Sequence, residues 1–232
     1  MPKITVAIDG PAASGKSTVA GILAERLGYL YFDTGVMYRA VTWAALARGI
    51  PIEDERAITR LAEELRIEVL PPTVDDGRQY TVLADGQDIT WKIREAQVNR
   101  YVSPVSAYKG VRRALTLQQR RIGAPGGVIM VGRDIGTVVL PEAQVKIYLD
   151  ASLEERTRRR YLEYRQRGIL RPFREVKEEL VQRDRIDSTR EMAPLRPAED
   201  AVIVDSTCVP IDKVVRRIER VIRQALEQVV GG

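Results

Sequence analysis

Apolar positions along the 232-residue chain follow two rhythms. Ile4-Thr5-Val6-Ala7-Ile8 is a short β-branched run that ends in a glycine-rich turn from Gly10 to Gly15. From Lys16 to Leu27 the residues Val19, Ile22, Leu23 and Leu27 recur at helical spacing, and Gly28 supplies a stop. Tyr29 to Phe32 reads as a second short strand, and a helix is expected from Val36 to Ala47. Strand, loop, helix, strand, helix is the opening of a parallel α/β sheet. The next buried strand, Val128 to Val131, lies about a hundred residues on, too far for a simple crossover. Within that interval Arg66 to Leu70 and Gln79 to Leu83 alternate, Asp75-Asp76-Gly77 punctuates, and Asp85-Gly86 signals a hairpin before Gln87 to Ile89. The pattern predicts a small antiparallel sheet inserted after the second strand, then a helix across Ser106 to Arg121. Further strands are expected at Val145 to Leu149 and Ala201 to Val204, with a last helix from Asp212 to Val229.

Composition narrows the chemistry. The chain has no histidine and one cysteine, Cys208. That excludes Ser-His-Asp and Cys-His catalysis, histidine-ligated metals, disulfides and iron–sulfur clusters. No apolar run is long enough for a signal sequence or a membrane span, and a single thiol suits a reducing compartment. A cytoplasmic protein is expected. The 37 basic and 32 acidic residues leave a charge of +5, but the signs are interleaved, so neither nucleic acid nor membrane is expected as a partner. The densest basic stretch follows a capping box of Ser152 and Glu155: Arg156, Arg158, Arg159, Arg160, Arg165 and Arg167.

Gly10-Pro11-Ala12-Ala13-Ser14-Gly15-Lys16-Ser17 matches G-x-x-x-x-G-K-[ST] in full, between a strand and a helix. Glycines let successive backbone N–H groups face a phosphate, and the helix N-terminus adds its dipole. Gly10 to Thr18 are therefore expected to bind ATP, with Lys16 on the outer phosphates and the Ser17 hydroxyl on Mg²⁺. The guanine-reading string N-K-x-D is absent. Phosphoryl transfer needs positioning and charge neutralisation rather than a covalent nucleophile, which suits a small kinase rich in arginine.

Asp33-Thr34-Gly35-Val36-Met37-Tyr38-Arg39 follows the second strand, and Gly132-Arg133-Asp134-Ile135-Gly136-Thr137-Val138-Val139 follows the third. With the phosphate loop, Lys146 to Ser152 and Arg183-Asp184-Arg185-Ile186-Asp187-Ser188, these motifs resemble bacterial cytidylate kinases in order over nearly the whole chain. The resemblance implies a P-loop nucleoside monophosphate kinase fold: a five-stranded parallel sheet flanked by helices, a small antiparallel insert and a basic helical lid. It implies core segments at 1–35, 106–153 and 191–232, a monophosphate-binding region at 36–105 and a lid at 154–190. It also implies transfer from ATP to CMP or dCMP. Lys16, Arg133, Arg156 and Arg160 would then be catalytic. Arg39, Arg133 and Arg190 would clamp the acceptor phosphate, with Thr34 beside it. Ser103, Arg112 and Asp134 would read cytosine, and Arg183 and Asp187 the ribose. Plainer roles stay open on the pattern alone: Arg39 as a solvated helix residue, Asp187 as a partner of Arg183, Ser103 as a turn residue before Pro104.

One position departs from the family. Where an acidic residue usually precedes Gly-Arg-Asp, this chain has Val131. The metal would rest on Ser17, ATP oxygens and waters, with Asp33 acting through water, unless Asp33 only caps the helix after Gly35. A monomer is expected. Competing readings are a kinase for UMP or dTMP, and an RNA-binding protein that uses the arginine helix.

Overall fold

The computed structural model describes residues 3–231. Eight strands and eight helices of regular length alternate through them. In chain order they are β1 (Thr5–Asp9), α1 (Lys16–Leu27), β2 (Leu30–Asp33), α2 (Gly35–Ala47), α3 (Glu55–Glu64), β3 (Ile67–Leu70), β4 (Thr81–Ala84) and β5 (Gln87–Asp88). There follow α4 (Ala96–Ala107), α5 (Lys109–Gly123), β6 (Val128–Gly132), β7 (Val145–Asp150), α6 (Leu153–Gln166), α7 (Phe173–Thr189), β8 (Val202–Asp205) and α8 (Ile211–Gly231). A short π-turn, Ile135–Val139, follows β6.

The chain forms two compact units, residues 1–31 with 123–232, and residues 32–122. The first is organised on the large sheet, whose order is β2-β6-β1-β7-β8. β1 runs parallel to β6 and β7, and β7 runs parallel to β8. Alternation sorts the strands' side chains. Ile4, Val6 and Ile8 join Ile129, Val131, Ile147 and Leu149 in a core closed by Val19 and Leu23 of α1 and by Val215, Ile218 and Ile222 of α8. Asp9 belongs to the alternate set of β1, so it leaves on the opposite face of the sheet from Ile8. Registration places Asp9 opposite Gly132 on one side and Tyr148 on the other. β6 therefore ends at the level where the phosphate loop begins, while β7 runs two residues further, to Asp150, alongside it.

In the second unit α2 is buried along most of its length and packs against α3, α4 and β4. The antiparallel insert is present, in the order β3-β4-β5. Its turns are held by Arg78, whose guanidinium grips both oxygens of Asp76 (2.8 and 2.7 Å) and reaches Asp88 at 2.6 Å.

Two expectations change. The helix expected across Ser106 to Arg121 is found as α5, and a further helix, α4, precedes it, the two meeting at Tyr108. Pro104 lies inside α4 rather than before a helix; it is exposed, and costs that helix one N–H donor. Helix α3 is additional to the strand-and-turn pattern. It is strongly amphipathic, with Ile58, Leu61 and Ala62 buried, and Asp54 caps it by accepting from the Ala57 N–H at 3.0 Å.

Candidate active site

The phosphate loop shows why its glycines are where they are. Gly10 has φ +147°, and a Cβ there would lie 2.0 Å from the Leu149 carbonyl oxygen of β7. Gly15 has φ +97° and stands at the N-cap of α1. The loop's carbonyls are held from outside. Lys16 Nζ donates to the Pro11 oxygen at 2.6 Å, Arg156 donates to the Ala12 oxygen at 3.3 Å, and Arg159 donates to the Ser14 oxygen at 3.1 Å. In a trans peptide the N–H points opposite to the C=O, so holding Ala12 and Ser14 by their carbonyls turns the Ala13 and Gly15 N–H groups the other way. Ser17 and Thr18 are exposed on the first turn of α1. The loop is thus an anion-binding nest whose orientation α6 enforces.

The arginines of α6 divide by their partners. Arg156 is buried, donates also to the Ala151 oxygen at 2.9 Å, and pairs with Asp184 at 2.8 Å. Arg159 is bound by Glu155 and by the Ser206 carbonyl at 2.6 Å. Arg158 is mostly exposed and pairs with Glu155. Arg160 pairs with Glu163 at 3.2 Å, while its Nε and the Oδ1 of Asp184 are buried with no hydrogen-bond partner. Such orphans are rare. The capping box is half-formed: Ser152 accepts from the Glu155 N–H at 3.3 Å, but the Glu155 carboxylate serves Arg158 and Arg159 instead.

Beyond β6 lies a compact group of opposite charges. Arg133 Nε donates to Asp187 at 2.7 Å, Arg190 donates to Asp134 at 3.3 Å and lies 3.7 Å from Asp187. Arg183 also acts on Asp187. Burial works to raise the Asp187 carboxyl, but the charges of Arg133, Arg183 and Arg190 prevail and hold it below the ordinary carboxylate value. Asp187 therefore pairs chiefly with Arg133, not with Arg183 alone. Four residues expected at the acceptor site are thus brought into contact on α7, its C-terminal end and the loop after β6.

The second unit holds the other expected residues. Arg112 is buried, stacks over Tyr38 at 5.4 Å and donates to the Ser106 oxygen at 3.1 Å. Ser103 is half-buried within α4, and its carbonyl accepts from Ser106. Arg39 is not a solvated helix residue: it donates to the Ile93 carbonyl at 3.2 Å and to Asn99. Thr34 is buried at the start of α2, and Asp33 Oδ1 accepts from the Gly35 N–H at 2.9 Å. Asp33 thus serves the first N–H of α2 through one of its two oxygens.

Sequence reasoning missed Asp9. It is 4% exposed, and its two oxygens accept from the Ile135 and Gly136 N–H groups, each at 2.8 Å. Burial pushes its carboxyl up to about 6 from 3.8; the Asp134 charge adds to that, and the two N–H donors and Lys16 oppose it. A carboxylate ending a fully buried strand must find partners, but the sequence does not say which.

Among the described residues no group of three or more His, Cys, Asp or Glu could hold a metal. An ion here would depend on hydroxyl and phosphate oxygens, a donor set that suits Mg²⁺, which keeps waters and shares substrate phosphates. Val131 is buried in the core beside α1 and offers no oxygen of its side chain.

The cytidylate kinase family profile matches residues 6–224. A cytidylate kinase of Chloroflexus aggregans is 51% identical over 226 residues, 96% of each chain. One of Herpetosiphon aurantiacus is 56% identical over 184 residues, 79% of this chain and 80% of that one. Among solved structures a gluconokinase of Sinorhizobium meliloti 1021 superposes with a TM-score of 0.50 at 14% identity, covering 99% of this chain and 98% of the other. That likeness speaks for the fold. The motifs, the phosphate loop and the extent of the match over the sequence lead to one conclusion: the chain belongs to the cytidylate kinase family.

Proposed function

We infer that the protein transfers the γ-phosphoryl group of ATP to CMP and dCMP, the reaction of its family, and that the residues assembled above carry it. The observation that supports this assignment of residues best is the charge group of Arg133, Asp134, Asp187 and Arg190. Two guanidiniums match the two negative charges of an acceptor phosphate, and two carboxylates match the hydrogen-bond donors of a nucleoside.

An oxygen of the CMP phosphate attacks the γ-phosphorus, the bond from that phosphorus to the β,γ-bridging oxygen breaks, and ADP and CDP result. At neutral pH the attacking oxygen is already ionised, since such phosphates lose their second proton near pH 6. No general base is needed, and the chain has no histidine to supply one. Lys16 leaves its Pro11 and Ser14 partners for the outer phosphates, while Arg133 and Arg190 hold the acceptor and Arg39 completes the clamp. Arg160, with its unsatisfied Nε, serves the transferring group, and Arg156 aims the loop that holds ATP. Ser17 would hold Mg²⁺ directly and Asp33 through water, and the ion when bound would supply neutralisation of phosphate charge. Asp134 accepts from the cytosine amino group, Ser103 and Arg112 donate to the ring acceptors, Thr34 lies by the phosphate, and Arg183 and Asp187 take the ribose. Uracil places a carbonyl where cytosine has its amino group, and a carboxylate repels it. Residues 36–105 are assigned to monophosphate binding and 154–190 to the lid. We assign the protein to the cytoplasm and to a monomeric state, without nucleic acid as a partner.

Transfer is tested with γ-labelled ATP and CMP. Label should appear in CDP, and Lys16→Ala should slow that by at least two orders of magnitude while the chain stays folded. Near-normal turnover by Lys16→Ala would contradict the assignment of the phosphate loop.

A further inference from the structure

Asp134 occupies the N-cap position of the π-turn Ile135–Val139, yet its side chain makes no cap hydrogen bond. That is unexpected, because aspartate is among the best N-cap residues and its short carboxylate readily reaches back to the N–H groups of its own turn. Here the first two of those N–H groups are already taken. Asp9, 125 residues earlier on β1, accepts from Ile135 and Gly136 with one oxygen each, both at 2.8 Å. The Asp134 carboxylate instead turns to Arg190 at 3.3 Å.

We propose that Asp9 is a positioning residue for acceptor recognition: by capping the turn after β6 in place of Asp134, it frees the Asp134 carboxylate to face the base and fixes Arg133 beside it. The proposal rests on the reading that Asp134 and Arg133 touch CMP. Three features of the site carry it. The carboxylate is buried, so its hydrogen bonds are not exchanged for water. Its two acceptors meet two successive donors, which an amide cannot do, having one acceptor and one donor. And β1 is the central strand of its sheet, hydrogen-bonded on both sides, so the cap is held by the most rigid part of the unit. The strand that launches the phosphate loop thereby also sets the aim of the acceptor loop, and residues 9 to 16 bear on both substrates.

The account makes a specific claim about what happens without Asp9. Two N–H groups lose their acceptor, and Asp134, at the N-cap of the same turn, carries a carboxylate able to serve them. It would swing back onto its own turn and leave both Arg190 and the base. Loss of Asp9 should therefore resemble loss of Asp134.

The experiment is a double-mutant cycle read by steady-state kinetics on the full chain with CMP and UMP. Asp9→Asn should lower kcat/KM for CMP by about 10- to 100-fold, mainly through KM, and narrow the preference for CMP over UMP. The KM for ATP should change by less than about threefold, since no ATP-facing group is altered. In an Asp134→Ala background Asp9→Asn should add little, because both changes remove one function. Amide exchange at Ile135 and Gly136 should quicken in Asp9→Asn. Should that variant fail to fold, Asp9→Ser, which keeps one short acceptor, is measured in the same way. Full additivity of the two changes, or an equal loss toward ATP and CMP, overturns the proposal. A normal loss in Asp134→Ala beside unaffected CMP kinetics in Asp9→Asn overturns it alone. Unaltered CMP kinetics in Asp134→Ala overturns the reading beneath it.

Discussion

Gly10 admits no side chain: any Cβ would lie 2.0 Å from the Leu149 carbonyl oxygen, inside hard contact with backbone that cannot yield. Gly10→Ala should therefore lower thermal stability and abolish binding of a fluorescent ADP analogue, whereas Gly28→Ala, with nothing within 4 Å, should lose far less by both measures. Asp9 makes a second prediction of opposite character. Its proton is held more tightly in the fold than in the unfolded chain, because burial raises its carboxyl from 3.8 to about 6. The folded state then binds more protons than the unfolded one across that window, so stability linked to Asp9 is full below it and falls as pH rises through it. The rise from 3.8 to about 6 corresponds to roughly 3 kcal/mol, or on the order of 5–10 °C in Tm. The Tm of the wild type minus that of Asp9→Asn should decline by that much between pH 4 and pH 6 and stay level above. A difference independent of pH would show that Asp9 is not a strained anion. The motif residues were legible because phosphate chemistry dictates their spacing. Asp9 was not, because its partners lie 126 and 127 positions away and only the fold brings them to it.

At the scale of elements, strands and caps were read well where periodicity was strong, and less well where partners decide. The strands of the large sheet begin and end within a residue or two of expectation, since each is a short apolar run bounded by glycine or charge. Helix α4 was hidden because Pro104 sits inside it and Tyr108 alone separates it from α5. Asp75-Asp76-Gly77 read as mere punctuation, yet Asp76 anchors Arg78 and also accepts from the Trp91 indole at 2.8 Å. Arg78 joins the turn before β4 to Asp88 of β5, so Arg78→Met should loosen the small sheet. Limited proteolysis should then cut within residues 71–80 sooner than in the wild type, with the large sheet still resistant. Unchanged cleavage would mean that β3, β4 and β5 are held by their apolar faces alone.

Across the whole molecule much of the acidic charge is paired with arginine and lysine. Arg26 and Arg223 pair with Glu219, Arg167 with Glu163, Arg174 with Glu178, and Lys177 with Glu154. Exposed pairs of this kind add little stability, but they offset part of the positive charge that a nucleic-acid backbone would meet. Binding to single-stranded RNA should accordingly be weak and lost by moderate salt. No helix among the described residues is long and apolar enough to cross a membrane. What the sequence announced most clearly, a phosphate loop and a family of acceptor motifs, is also what the measured reaction must express. The most direct test is the initial rate of ADP release from ATP with each of CMP, dCMP, UMP and dTMP at equal concentration. CMP and dCMP should be turned over, with UMP at least about 100-fold less efficient in kcat/KM, as expected when a buried carboxylate faces a carbonyl. Equal rates for CMP and UMP, or a preference for dTMP, would contradict the account.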